Sequence, residues 1–132
     1  MAVNENELGE VVIGCAIEVH RELGPGLLES VYQKALAVEL REAGLSLKEE
    51  VPVLIRYKNQ DLDEGFRADI VVEDSLILEL KAVEALRDVH KKQLQTYLKL
   101  TGFKLGYLLN FNTPVMRRGI VRCVNGASVP RR

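Results

Sequence analysis

Residues 67–83 read RADIVVEDSLILELKAV, two apolar runs around a short acidic turn. Both runs are apolar on alternating positions of either parity, which predicts a hairpin near the centre of a sheet covered on both faces. Asp69, Glu79 and Lys81 interrupt that pattern. An unpaired charge in such a strand costs on the order of several kcal/mol, so these groups must be paired, hold a metal, or open to solvent at a strand end. Glu79 and Lys81 are two apart and project from one face. Asp69 depends on the turn. Pairing Val72 with Leu76 across a loop at 73–75 sets Asp69 opposite Glu79, whereas a two-residue loop would set it opposite Leu80; the clustering of charge favours the first register.

The segments on either side supply the rest of an α/β domain. Leu8, Val11, Val12, Cys15, Val19 and Leu23 recur at helical spacing, predicting a helix over 5–23 with Asn4 or Asn6 as its cap. Gly24-Pro25-Gly26 breaks it, and a second helix is expected over about 27–43, packed through Leu28, Val31, Tyr32, Ala35 and Leu36, with Gly44 as its stop. From Leu45 the period becomes two. LSLKEEVPVLIRY predicts a strand in which Pro52 marks an edge or bulge, and residues 59–64 are expected to form a polar turn. After the hairpin, Leu86, His90, Leu94, Tyr97, Leu98 and Thr101 predict a helix over 87–101, ended by Gly102. KLGYLLNF (104–111) then reads as a strand covered on both faces, and GIVRCVN (119–125) as a shorter partner. The helix at 87–101 should cross over between strands of one mixed sheet.

Composition agrees with one soluble domain spanning residues 1–132, with a tail from about residue 126. The chain is 47% hydrophobic and 28% charged, and its longest apolar run in helix-like sequence, Val11 to Ile17, falls well short of the roughly 20 residues of a membrane span. The acidic start MAVNENELGE is unlike a signal peptide, which points to the cytoplasm. Cys15 and Cys123 lie in apolar patterns and read as buried thiols. The net charge of −1 conceals a division: all 19 acids lie at or before Asp88 with nine of the bases, giving −10, while residues 89–132 carry nine bases and no acid. The last third is thus a candidate surface for a polyanion such as nucleic acid, or a solvated basic face.

Two carboxylates side by side push each other toward protonation unless a cation lies between them. Hard oxygen donors without a nearby cysteine or histidine cluster suit Mg²⁺ or Mn²⁺ rather than zinc. A neighbouring ammonium, Lys81, could then hold or deprotonate an attacking water and offset the charge that grows on a phosphate. The competing explanation is a buried Asp/Glu/Lys salt-bridge cluster. Gln93 and Tyr97, one turn apart on the helix that follows the Lys81 strand, could position substrate or water, or could be a polar flank and a packed aromatic. Glu29 could favour its own helix dipole or be a further acid at the site. His20 reads as a helix C-terminal cation or a core histidine.

Gly26, Glu29 and Tyr32 spell GxxExxY, and EVHRELGPGLLESVY, FRADIVVE, LILELKAV, QLQTYLKLTGFKLGYLLNF and GIVRCVN follow in order. From about residue 8 to 125 the chain resembles the GxxExxY family, which is similar to the PD-(D/E)xK nuclease-like superfamily. That resemblance implies a restriction-endonuclease-like core, a mixed central sheet flanked by helices in the order ααβββαββ. It implies Asp69, Glu79 and Lys81 as the signature triad, with Glu29, Gln93 and Tyr97 at the assisting positions found in exonuclease-like and Holliday-junction-resolvase-like relatives. Ala68 stands where the superfamily signature has proline.

The expected function is a metal-dependent nuclease, a hydrolase of phosphodiester bonds in DNA or RNA with DNA favoured. Asp69 and Glu79 would bind Mg²⁺ or Mn²⁺, Lys81 would act on water or charge, and Glu29, Gln93 and Tyr97 would assist. Lys91, Lys92, Arg117, Arg118 and Arg122 are the candidates for phosphate contacts. A nuclease-like module that binds nucleic acid or a protein partner without cleaving is the alternative. Any specificity must come from partners, a homodimer or substrate shape. Neither GxGxxG nor a P-loop is present, which disfavours nucleotide-cofactor enzymes.

Overall fold

A computed structural model describes residues 4–125; the tail expected from about residue 126 lies outside them. The elements run α1 (Glu5–Leu23), α2 (Glu29–Glu42), β1 (Leu47–Tyr57), β2 (Gln60–Val72), β3 (Leu76–Lys81), α3 (Asp88–Thr101), β4 (Leu105–Asn110), a short 3₁₀ turn (Met116–Gly119) and β5 (Ile120–Val124). The five strands form one mixed sheet in the order β1-β2-β3-β4-β5. Only β3 and β4 pair in parallel, joined by the α3 crossover, as the sequence pattern requires. No helix among the described residues is long and apolar enough to cross a membrane.

Helices cover both faces. Leu8, Val12, Ala16 and Val19 of α1 and Tyr32, Leu36 and Leu40 of α2 pack on Ile70, Val72, Leu78, Leu80, Tyr107 and Leu109. On the other face Leu94 and Leu98 of α3 pack on Val71, Ile77 and Leu108. β4 is buried at every position, which explains why its sequence shows no alternation. Cys15 and Cys123 are buried free thiols, and burial raises the pKa of each.

Asn4 caps α1: its Oδ1 accepts from the Glu7 amide at 2.8 Å while Glu7 Oε1 accepts from the Asn4 amide at 3.3 Å. The packed faces of the helices are narrower than the apolar pattern suggested. Val11 (40% exposed) and Leu28 (73% exposed) lie outside the core, as do Leu23, Val31 and Val38. Spacing identifies an apolar flank but not which flank a neighbour covers.

Residues 59–64 also depart from expectation. The turn is Lys58-Asn59 alone, with φ of 48° and 65°, and Tyr57 already pairs with Gln60. Two positive φ angles in a two-residue loop match the twist of the flanking strands, so the polar stretch continues as β2. β1 and β2 form a long two-stranded arm on the open edge of the sheet, with Pro52 on the edge strand.

Candidate active site

β2 and β3 pair in the register Ile70↔Leu78, Val71↔Ile77 and Val72↔Leu76, so the loop is 73–75 as the charge clustering favoured. One step further, carboxylates replace the backbone ladder. The Asp69 amide donates to Glu79 Oε2 at 3.2 Å, and the Leu80 amide donates to Asp69 Oδ2 at 2.8 Å. Asp69, Glu79 and Lys81 therefore gather at the end of the sheet from which the β1–β2 arm projects.

Glu79 is only 9% exposed. Burial first, then the charge of Asp69, raises its pKa to about 8, with the Asp69 amide and Lys81 opposing. Asp69 is also raised, chiefly by burial, against the lowering effect of the Leu80 amide. Lys81 makes no ion pair among the described residues. A structural salt-bridge cluster would have Lys81 clamped between the acids, and it is not.

The GxxExxY positions brace this site. Tyr32 is fully buried, and its ring stacks on Phe111 with centroids 4.7 Å apart. Its hydroxyl donates to Gly24 O at 2.6 Å and accepts from the Leu27 amide at 3.0 Å, fixing a loop in which Gly26 has a φ of 101°. That loop delivers Glu29, whose Oε2 accepts from the Ala82 amide at 3.3 Å, one residue beyond Lys81. Tyr32→Phe keeps the stacking but leaves two backbone groups unsatisfied; it is expected to cost about 1–2 kcal/mol in denaturant unfolding. An unchanged midpoint would show the brace to be dispensable.

Tyr97 reaches the site from α3, stacked on Phe66 with centroids 3.6 Å apart. Desolvation raises its pKa, and the charges of Glu79 and Asp69 add to the shift. Gln93 is exposed one turn earlier on the same flank of α3. Lys91 and Lys92 are exposed on the same helix. Lys91 lies toward β5, where its charge lowers the Cys123 pKa against the larger effect of burial. Arg117 and Arg118 are exposed on the 3₁₀ turn that follows β4. Arg122 points the other way, toward the first turn of α1, where it donates to Asn6 Oδ1 at 2.7 Å.

Two residues at the site were missed in the sequence. Asn110, 1% exposed, pairs with Lys81 across β3–β4. Its side chain donates to Val83 O at 2.9 Å and accepts from the Val83 amide at 3.1 Å, so it clamps the chain leaving β3. A polar residue within the apolar run of residues 104–111 was the available signal. Glu50 raises the pKa of both Asp69 and Glu79. It lies between Glu49↔Ile70 and Val51↔Ala68, hence across from Asp69, and holds a φ of 53°. Such a backbone is strained for glutamate. Here the sheet faces interchange: Ala68 packs with Val71 on the α3 side although their parity differs. Glu50 left no signal, because it reads as an ordinary solvent-side residue of an alternating strand.

A mixed sheet with a carboxylate pair and a lysine at the end of its central hairpin has the restriction-endonuclease-like architecture. The sequence matches the PD-(D/E)XK nuclease superfamily over residues 6–123, and the chain belongs to that superfamily. Comparisons with curated proteins and with solved structures give no match. Nucleases of this superfamily generally use divalent metal ions. The residues fit one. Among the described residues Asp69 Oδ1 and Glu79 Oε1 accept no hydrogen bond, and the two acids repel. No set of three or more Asp, Glu, His or Cys side chains gathers to form an all-protein cage among the described residues. Two carboxylates, with water and substrate phosphate completing the shell, are the usual setting for Mg²⁺ rather than for a structural ion.

Proposed function

We propose that this chain is a nuclease of the GxxExxY kind that hydrolyses phosphodiester bonds in DNA, in preference to RNA, with Mg²⁺ or Mn²⁺. One observation carries the reading: buried Glu79 and half-buried Asp69, each with an oxygen that accepts no hydrogen bond among the described residues, lie beside a lysine that no acid clamps. The cation, once bound, would polarise a phosphate oxygen and activate water for in-line attack. Asp69 and Glu79 hold it. Lys81 presents its ammonium to the attacking water and to the charge that develops on the phosphate. Tyr97 donates to a phosphate oxygen, Gln93 orients substrate or water, and Glu29 steadies the chain at Ala82. Arg117 and Arg118, exposed on the 3₁₀ turn, would meet phosphates beyond the triad. The cytoplasm is the expected setting, where Cys15 and Cys123 stay reduced. Specificity would come from substrate shape, a partner or a homodimer.

The test is incubation of the pure protein with single-stranded, linear duplex and branched DNA plus Mg²⁺ or Mn²⁺. Cleavage is expected, and should vanish in Glu79→Ala. Cleavage that persists in that variant would overturn the assignment. Salt-sensitive DNA binding that needs no cation, survives Glu79→Ala and leads to no cleavage would assign a binding module instead.

A further inference from the structure

Beyond Lys81 the chain lines a groove of about 500 Å³ with Val83, Glu84, Ala85, Arg87 and His90. We propose that this groove takes the nucleotide next to the scissile phosphate, with His90 and Arg87 on its phosphate group; the assignment rests on the nuclease reading above.

Position comes first. Val83 is two residues beyond Lys81 and is held on both its backbone groups by buried Asn110, so the groove wall is fixed to the triad strand. His90, Gln93 and Tyr97 are spaced i, i+3, i+7 and share one flank of α3. Tyr97 stacks on Phe66, three residues before Asp69 on β2, and His90 is seven residues nearer the helix start, about 10 Å along the axis. A chain bound at the triad and running along this flank arrives at the groove.

The donors are already set. The Arg87 amide donates to His90 Nδ1 at 3.0 Å. With Nδ1 accepting, Nε2 is the ring nitrogen left to donate. Arg87 is exposed and makes no ion pair among the described residues, not even with Glu84, which lines the same groove. Two donors suit a phosphate. Val83 and Ala85 give the apolar surface that a sugar or base needs, and Glu84 gives an acceptor for a sugar hydroxyl or a base N–H. A bare anion would use only half of this lining; a nucleotide uses all of it, and the volume is in the range of small-ligand sites.

The chain has two histidines, so His20 is an internal control. Its Nε2 is 2.8 Å from Thr113 O, between α1 and the segment after β4. The wild-type protein is titrated with a thymidine hexanucleotide in EDTA at low salt, and the imidazole signals are followed by NMR. The His90 signals should move and saturate while those of His20 stay. Arg87→Ala should weaken the apparent affinity about tenfold. Unmoved His90 signals, equal movement of both histidines, or an unchanged affinity in Arg87→Ala would overturn the groove assignment. Hydrolysis of bis(p-nitrophenyl) phosphate by the wild type with Mn²⁺ reports on the nuclease reading separately. A silent His90 in a protein that hydrolyses this ester removes the groove alone; a responsive His90 in a protein that does not hydrolyse it supports the groove and removes the chemistry.

Discussion

Metal-free protein should lose stability as pH rises from about 5 to 8, and Glu79→Gln should remove most of that slope. Burial and the neighbouring Asp69 raise Glu79 to about 8, against an ordinary value of 4.5. Between those values the native state keeps a proton that the unfolded chain has released. The stabilising contribution is therefore complete below the unfolded pKa and is lost as pH rises through the folded one. The group accounts for on the order of 3–5 kcal/mol, or roughly 10 °C in melting temperature. Asp69, raised in the same direction, adds to it. Thermal unfolding in EDTA at pH 5, 6, 7 and 8 measures the slope. A flat wild-type profile, or an unchanged slope in Glu79→Gln, would remove the proposed electrostatic state. Mg²⁺ or Mn²⁺ should stabilise the wild type more at pH 8 than at pH 5, since the cation replaces a proton, and should do little for the variant.

Lys81→Met should lower the cleavage rate by about 10²–10³-fold, the usual effect of removing one group that meets developing charge. Cation affinity by calorimetry should not fall, because Lys81 supplies no ligand atom and its charge opposes the ion. The combination is diagnostic. If Lys81 only neutralised the acids, the variant would instead be destabilised and a companion Glu79→Leu would restore stability. Full turnover in Lys81→Met would strike the lysine from the chemistry.

The charge cluster was legible because it breaks a strong pattern: a doubly covered hairpin tolerates Asp69, Glu79 and Lys81 only for a reason. The same logic extends to Asn110, which interrupts the apolar β4 beside Lys81, and it would have found that clamp. Other features are invisible at this level for physical reasons. The φ of Glu50 arises from the exchange of sheet faces at Asp69, a tertiary event with no local signature. The polar residues after Asn59 resemble a loop because a protruding hairpin faces water on much of its surface. Leu28 and Val31 count as core by spacing alone, since periodicity is blind to what lies opposite. The roles of Gly26 and Tyr32 in bracing Glu29 become clear only when α2 is seen against β3 and Phe111.

The β1–β2 arm gives this architecture an adjustable dimension. Arg67 is level with Lys81 in the continued register, and the tip at Lys58-Asn59 is roughly 25 Å further out. A hairpin can grow or shrink by two residues in each strand, about 7 Å of reach, without inverting which side chains face which way. A single added residue would invert them. Such paired changes leave Asp69, Glu79 and Lys81 where they are. The size of the space alongside the triad can therefore drift during evolution while its chemistry stays fixed, so homologues with different arm lengths need not differ in mechanism.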